Sequence, residues 1–162
     1  MRGKPSKCSS RCSRPAAVRT TTRERNLLVS TELQPKSPTN KGPAEWFTGD
    51  VYFNAYYAGT EPSRTRLNLV RFTPGAHTAW HRHAVGQTLH VTEGYGYVQS
   101  RGEELIELRP GDTVYTPAGE WHWHGASADN FMCHLALWEA PGADSDGPET
   151  VWGELLTPEE YP

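Results

Sequence analysis

From Lys41 to Pro162 the chain is broken so often by glycine and proline turn signals that it leaves no room for a long helix. Lys41-Gly42-Pro43, Glu61-Pro62-Ser63, Thr73-Pro74-Gly75-Ala76, Gly94-Tyr95-Gly96, Arg101-Gly102 and Arg109-Pro110-Gly111-Asp112 each close one short run and open the next. Proline fixes φ and lacks a backbone donor, and glycine opens positive φ, so such pairs turn the chain. The runs between them are β-prone. Residues 51–58 carry Tyr52, Phe53, Tyr56 and Tyr57; residues 67–72 put Asn68, Val70 and Phe72 on one face. In residues 131–139, Met132, His134, Ala136 and Trp138 share a face in the same way. Eight or more strands without a convincing long amphipathic helix predict an all-β fold, a small antiparallel β-sandwich or jelly-roll barrel. The closing stretch, residues 151–161, is expected as either one short helix or a closing arm.

A chain of 162 residues is most simply one domain with a tail. Its net charge of −3 hides a split. Residues 1–40 carry nine Lys/Arg against two Asp/Glu, and residues 41–162 carry seven against seventeen, balances of +7 and −10. Residues 1–40 therefore read as a disordered basic leader, too poor in apolar area to offset the entropy of ordering. Their Arg- and Ser-rich composition also suits an organellar transit peptide, or an upstream start with translation beginning near Val29. Residues 41–162 form the folded domain, an acidic body with no nucleic-acid surface and no apolar run long enough for a membrane. Three cysteines, Cys8, Cys12 and Cys133, make no disulfide framework, so a reducing, cytoplasmic setting is expected. Cys133 sits in an apolar strand pattern as a small core residue.

The chemistry concentrates between Gly75 and Gly94, where His81, His83 and Gln87 sit at even spacing. On one continuous strand their side chains would point to one side. A second stretch, Gly111, Pro117, Gly119 and His122, adds a third imidazole. These four are read as a mononuclear metal site: metal ligands His81, His83, Gln87 and His122. A carboxamide in place of a carboxylate leaves a divalent ion's charge uncompensated, which favours Lewis-acid chemistry over oxygen activation. His124 follows at strand parity, and His134 lies on the neighbouring strand signal. As non-ligand imidazoles with ordinary pKa near 6.5, they are the candidate catalytic acid and base. Asn68, Val70, Phe72, Met132 and Trp138 are the expected lining of a substrate pocket. His77 and His90 are expected at the surface or an interface. Trp80, Trp121 and Trp123 have the parity to face away from the metal, which suggests a second buried face at a homodimer contact.

The two glycine-bounded stretches together resemble the paired motifs of the cupin superfamily. The first, Gly-x5-His-x-His-x3,4-Glu-x6-Gly, is met at every fixed position except that Gln87 replaces Glu. The second, Gly-x5-Pro-x-Gly-x2-His-x3-Asn, is met at Gly111, Pro117, Gly119 and His122, with Ala126 in place of Asn. Residues 41–49, 74–81, 122–126 and 151–161 further resemble small bacterial cupins of the manganese-dependent hydroxynitrile lyase type. The resemblance departs at Trp138, where such lyases carry a polar amide.

That resemblance implies a cupin barrel holding a divalent metal, Mn(II) foremost and Fe(II), Zn(II), Ni(II) or Co(II) as alternatives. It implies reversible cleavage of a small, aromatic cyanohydrin to an aldehyde and cyanide, in a homodimer or homotetramer. Two other readings stay open: a cupin dioxygenase or isomerase on a small hydroxylated or carbonyl substrate, and a non-catalytic ligand-binding cupin.

Overall fold

The structure of the protein, a computed structural model, describes residues 31–143, Ser145 and 147–162. Most of the expected basic leader, residues 1–30, lies outside them, as do Cys8 and Cys12. In chain order the strands are β1 (Asn40–Lys41), β2 (Phe47–Thr48), β3 (Val51–Tyr57), β4 (Thr65–Phe72), β5 (His77–Thr78), β6 (His81–His83) and β7 (Gln87–Gly94). They continue as β8 (Gly96–Ser100), β9 (Ile106–Leu108), β10 (Thr113–Thr116), β11 (His122–Ala126), β12 (Met132–Glu139) and β13 (Thr150–Trp152). The described residues contain no helix, so none is long and apolar enough to cross a membrane. Ser37 and Thr39, late in the expected leader, hydrogen-bond the Asn54 side chain, and Asn40 pairs with Phe53 in β1.

All strand pairs are antiparallel and fall into two sheets. One runs β1-β3-β4-β12-β7-β10, and the other β13-β6-β11-β5-β2, with β8 joined to β11 and β9 joined to β8. Their inner faces share one apolar core: Val51, Val70, Phe72, Leu89, Val91 and Met132 from the first meet Val98 and Ala126 from the second and Ala76 just before β5.

β12 lies between β4 and β7, and its register sets the depth of the interior. Met132 pairs with Phe72, His134 with Val70 and Val91, Ala136 with Asn68 and Leu89, and Trp138 with Arg66 and Gln87. Directly opposed residues point to the same face. The interior thus grades from an apolar floor at Phe72 and Met132 to a polar rim at Arg66 and Gln87. A bulge between Cys133 and His134 leaves Thr92 without a partner, and its hydroxyl donates to the Cys133 carbonyl at 3.1 Å. Beyond the bulge the chain passes so close to its neighbour that a Cβ on Gly94, at φ +80°, would lie 1.9 Å from the Phe131 carbonyl oxygen. Only glycine fits there.

On the outer side of the second sheet Trp80 and Trp123 do face away from the interior, but their cover comes from within the chain. The C-terminal arm after β13 lays Leu156 and Tyr161 against them. Tyr161 donates its O–H to the Ala126 carbonyl at 2.9 Å and stacks on the His77 ring at 4.4 Å. Trp80 Nε1 donates to Glu160 at 3.3 Å. The expected helix or closing arm is therefore a short strand followed by an arm. His77, expected at the surface, is buried, with Nδ1 donating to the Gly75 carbonyl at 2.9 Å. It is buried because the C-terminal arm brings the Tyr161 ring over it and the Trp123 ring lies against it at 6.1 Å. His90 is half-buried against Thr113. Cys133 is free and buried. Because the arm is the lid of this aromatic cluster, Leu156→Ala should cost about 2 kcal/mol or more. The effect would appear as a lower urea midpoint at unchanged slope; an unshifted midpoint would mean the arm is not holding the cluster.

Candidate metal centre

Three imidazoles converge from two adjacent strands. β6 carries His81 and His83, and β11 carries His122, paired directly opposite His81. The ring centroids of His81 and His122 are 4.2 Å apart, and one nitrogen from each of His81, His83 and His122 lies within 4.8 Å of the others. Gln87 reaches the same point from the opposite sheet. After His83 the chain bends through Gly86, at φ +90°, and crosses to β7, so Gln87 is not on the strand of His81 and His83. The single continuous strand expected from the even spacing is thus two strands, β6 and β7, in two sheets. The four side chains meet by closure of the barrel.

The residues fit a divalent cation. Each outer ring nitrogen is engaged: His81 Nδ1 donates to the Ala79 carbonyl at 3.0 Å, and His122 Nδ1 donates to the Glu120 carbonyl at 3.1 Å. His83 Nδ1 faces the Thr150 hydroxyl at 3.1 Å. Fixing the proton on Nδ1 leaves Nε2 as a lone pair aimed inward, the tautomer a metal requires. His83 Nε2 is buried with no hydrogen-bond partner among the described residues. As oriented, Gln87 presents its carbonyl oxygen 3.0 Å from His122 Nε2. A neutral imidazole has one N–H, already given to Glu120, so two lone pairs face each other there. A cation between them makes such a contact favourable, as does an amide turned to present its NH2 to the ring nitrogen. Burial pushes His83 down to about 3 and His122 down to about 4, and burial with the neighbouring imidazoles drives His81 well below 6.5. All three are therefore neutral near pH 7, as ligands must be. This group could hold a divalent metal.

A cavity of about 270 Å³ opens onto the cluster. Trp46 and Trp152 stack at 5.1 Å and 3° along its edge, and Trp152 also stacks on His81 at 4.7 Å. Phe47 and Phe53 add further apolar wall. Of the expected pocket residues, Asn68, Val70 and Trp138 line it. Phe72 and Met132 do not; both are buried in the floor beneath it, because this directly opposed pair lies two layers below the Asn68–Ala136 pair. His124 lines the cavity beside His81, at a ring separation of 5.1 Å. His134 lies behind it, fully buried, with Nε2 3.3 Å from His124 Nδ1 and the Phe72 ring at 5.5 Å. Burial first, then His134, holds His124 well below the usual range, and burial takes His134 down to about 4. The inner nitrogen of the pair, His124 Nε2, is buried without a partner among the described residues.

Sequence reasoning missed Trp46, Phe53, Thr78, Thr150 and Trp152 as cavity residues. Thr78 Oγ1 accepts the His124 backbone N–H at 3.1 Å. Trp46, Thr78 and Trp152 lie in stretches that carry the family resemblance, but none of the five occupies a fixed position of the two motifs. Nor is β13 (Thr150–Trp152) expected as a strand, since residues 151–161 are expected as a short helix or a closing arm.

Comparison with known proteins agrees with this geometry. The family profile for the cupin domain matches residues 68–138. An (R)-mandelonitrile lyase of Granulicella tundricola is 44% identical over 123 residues, spanning 76% of this chain and 91% of that protein. The crystal structure of a cupin-like protein from Thermotoga maritima superposes with a TM-score of 0.69 at 34% identity, over 81% of this chain and 95% of that one. A cupin-2 domain from Rhodospirillum rubrum shares the fold, with a TM-score of 0.59 at 22% identity over 81% of this chain and 82% of that one.

Proposed function

The chain belongs to the cupin family, and from that premise we propose that it is a metal-dependent lyase cleaving an aromatic cyanohydrin reversibly to an aldehyde and cyanide. One observation carries the reading: a cavity walled by aromatic rings ends on three neutral imidazoles beside a buried, non-ligand histidine pair. The relative named as a mandelonitrile lyase supports the same substrate class. The proposed holders of the ion are His81, His83, His122 and Gln87, and Mn(II) is the proposed ion among those imidazole accepts. A divalent ion held there supplies Lewis acidity towards a hydroxyl or carbonyl oxygen.

The remaining work falls to the chain. The aromatic wall takes the aryl group and excludes water, while His124 lines the cavity with its Nε2 buried and unpartnered among the described residues; in the tautomer whose Nδ1 donates to His134, that Nε2 is a lone pair. It accepts the hydroxyl proton; the O–H pair becomes the second bond of the carbonyl, and the C–CN pair departs with cyanide. The proton then passes from His124 to cyanide, leaving aldehyde and hydrogen cyanide with the histidine unchanged. His134, 3.3 Å away on Nδ1, holds the ring in the orientation this needs.

The test is mandelonitrile cleavage, followed as benzaldehyde release, with metal content measured on the same sample. Chelation should abolish release and Mn(II) should restore it. Full activity in metal-stripped protein, or oxygen uptake with substrate, would overturn the reading.

A further inference from the structure

The rim of the cavity carries a polar network that this reaction does not use. Glu149, just before β13, reaches from the sheet of His81 and His83 to the opposite sheet. Its Oε1 accepts from Arg66 Nη2 at 2.6 Å, and its Oε2 accepts from Arg66 Nε at 3.2 Å and from Trp138 Nε1 at 3.2 Å. Arg66 also donates to the Ala58 carbonyl. Arg66 and Trp138 are directly opposed on β4 and β12, so one carboxylate ties both to the far sheet. The backbone of Glu149 is held as well, its carbonyl accepting from Ala84 N at 3.0 Å. The next residue, Thr150, meets His83, and the Trp138 ring itself lies 5.5 Å from the His83 ring.

An indole has one polar atom, and here it is turned outward to the carboxylate. The ring therefore shows the cavity only its apolar surface, in an orientation selected by that bond. The Arg66–Glu149 pair is partly exposed, at 24% and 35%, so its value to global stability is small. Its bidentate geometry instead fixes direction.

We infer that Glu149 is a positioning residue that locks the Trp138 indole as an apolar wall, and so makes the cavity select an aryl group over a short alkyl group. The inference rests on the lyase reading for the reacting end of the substrate, whereas the wall is measurable without turnover.

The experiment compares wild type with Glu149→Ala, Glu149→Gln, Trp138→Phe and the Glu149→Ala/Trp138→Phe double variant, all metal-loaded. Benzaldehyde affinity is read by calorimetry, and kcat and KM are taken for mandelonitrile and for acetone cyanohydrin. Glu149→Ala should weaken benzaldehyde binding and raise the mandelonitrile KM about tenfold, as loss of a charge-assisted hydrogen bond does. Its kcat, metal content and acetone cyanohydrin KM should stay near wild type. Glu149→Gln, whose amide oxygen still accepts from the indole, should recover most of the loss. The double variant should be no worse than its worse parent. Wild-type benzaldehyde affinity in Glu149→Ala, equal losses on both substrates, or multiplying losses in the double variant would each overturn the inference, as would a wild type that does not bind benzaldehyde. Aryl binding that depends on Glu149 without turnover of either cyanohydrin would leave the wall standing and sink the lyase reading instead. One measurement does not depend on any variant folding. In the 15N spectrum of Zn(II)-loaded wild type the Trp138 indole proton should exchange slowly with solvent, and rapid exchange would refute the lock.

Discussion

Replacing His122 with alanine should leave the purified protein unable to hold a divalent metal and, on the proposed function, should abolish cyanohydrin cleavage. His122 is the hinge of the cluster: it pairs across the sheet with His81, packs on that ring at 4.2 Å, and brings Nε2 within 3.0 Å of the Gln87 oxygen. Without it, two imidazoles on β6 and one amide on β7 remain, and nothing on β11 bridges them. Loss of an outer partner to a ligand already costs about 10- to 100-fold in metal affinity, so removing an imidazole outright should cost more than about 10²-fold. The measurement is metal per chain after desalting at micromolar protein, with circular dichroism to confirm an intact β fold. A folded His122→Ala protein that keeps one equivalent of metal would mean the ion is held elsewhere.

The second large effect concerns the histidine pair. His124→Ala and His134→Ala should each slow turnover by roughly 10²–10⁴-fold, the usual worth of a positioned general base. Metal content should not change, because neither ring belongs to the three-imidazole group. The sharper expectation is for the double variant. His134 touches the cavity only through His124, across a 3.3 Å contact, so the two should act as one unit. Removing both should slow the reaction no more than the worse single change. Multiplying losses would show two independent roles, with His134 then reaching the substrate by a route the present geometry does not contain.

The strand interiors were readable because alternation is a local property. Met132, His134, Ala136 and Trp138 do share a face, and the same holds for Asn68, Val70 and Phe72. Alternation says which side a residue faces, however, and nothing about depth. Phe72 and Asn68 have the same parity, yet one lies in the floor and the other in the cavity wall, since the cavity occupies only the upper layers. The tryptophans teach the same point from the outer side. Parity placed Trp80 and Trp123 away from the cluster, while their cover is Leu156 and Tyr161 of the same chain, more than thirty residues further on. A closing arm leaves no periodic trace that names its target.

What the sequence determined by itself is the all-β character, the parity within the longer strands β4 and β12, and the glycines that permit the turns between strands. These follow from φ/ψ sterics and the two-residue repeat of a pleated strand, both of which act over a few residues. Only the tertiary structure decided that Gln87 meets His122 from the facing sheet, that His134 stands behind His124, and that Glu149 grips Trp138 from across the rim. Those meetings depend on how two sheets close over a shared core, and no local repeat encodes a distance between residues on facing walls.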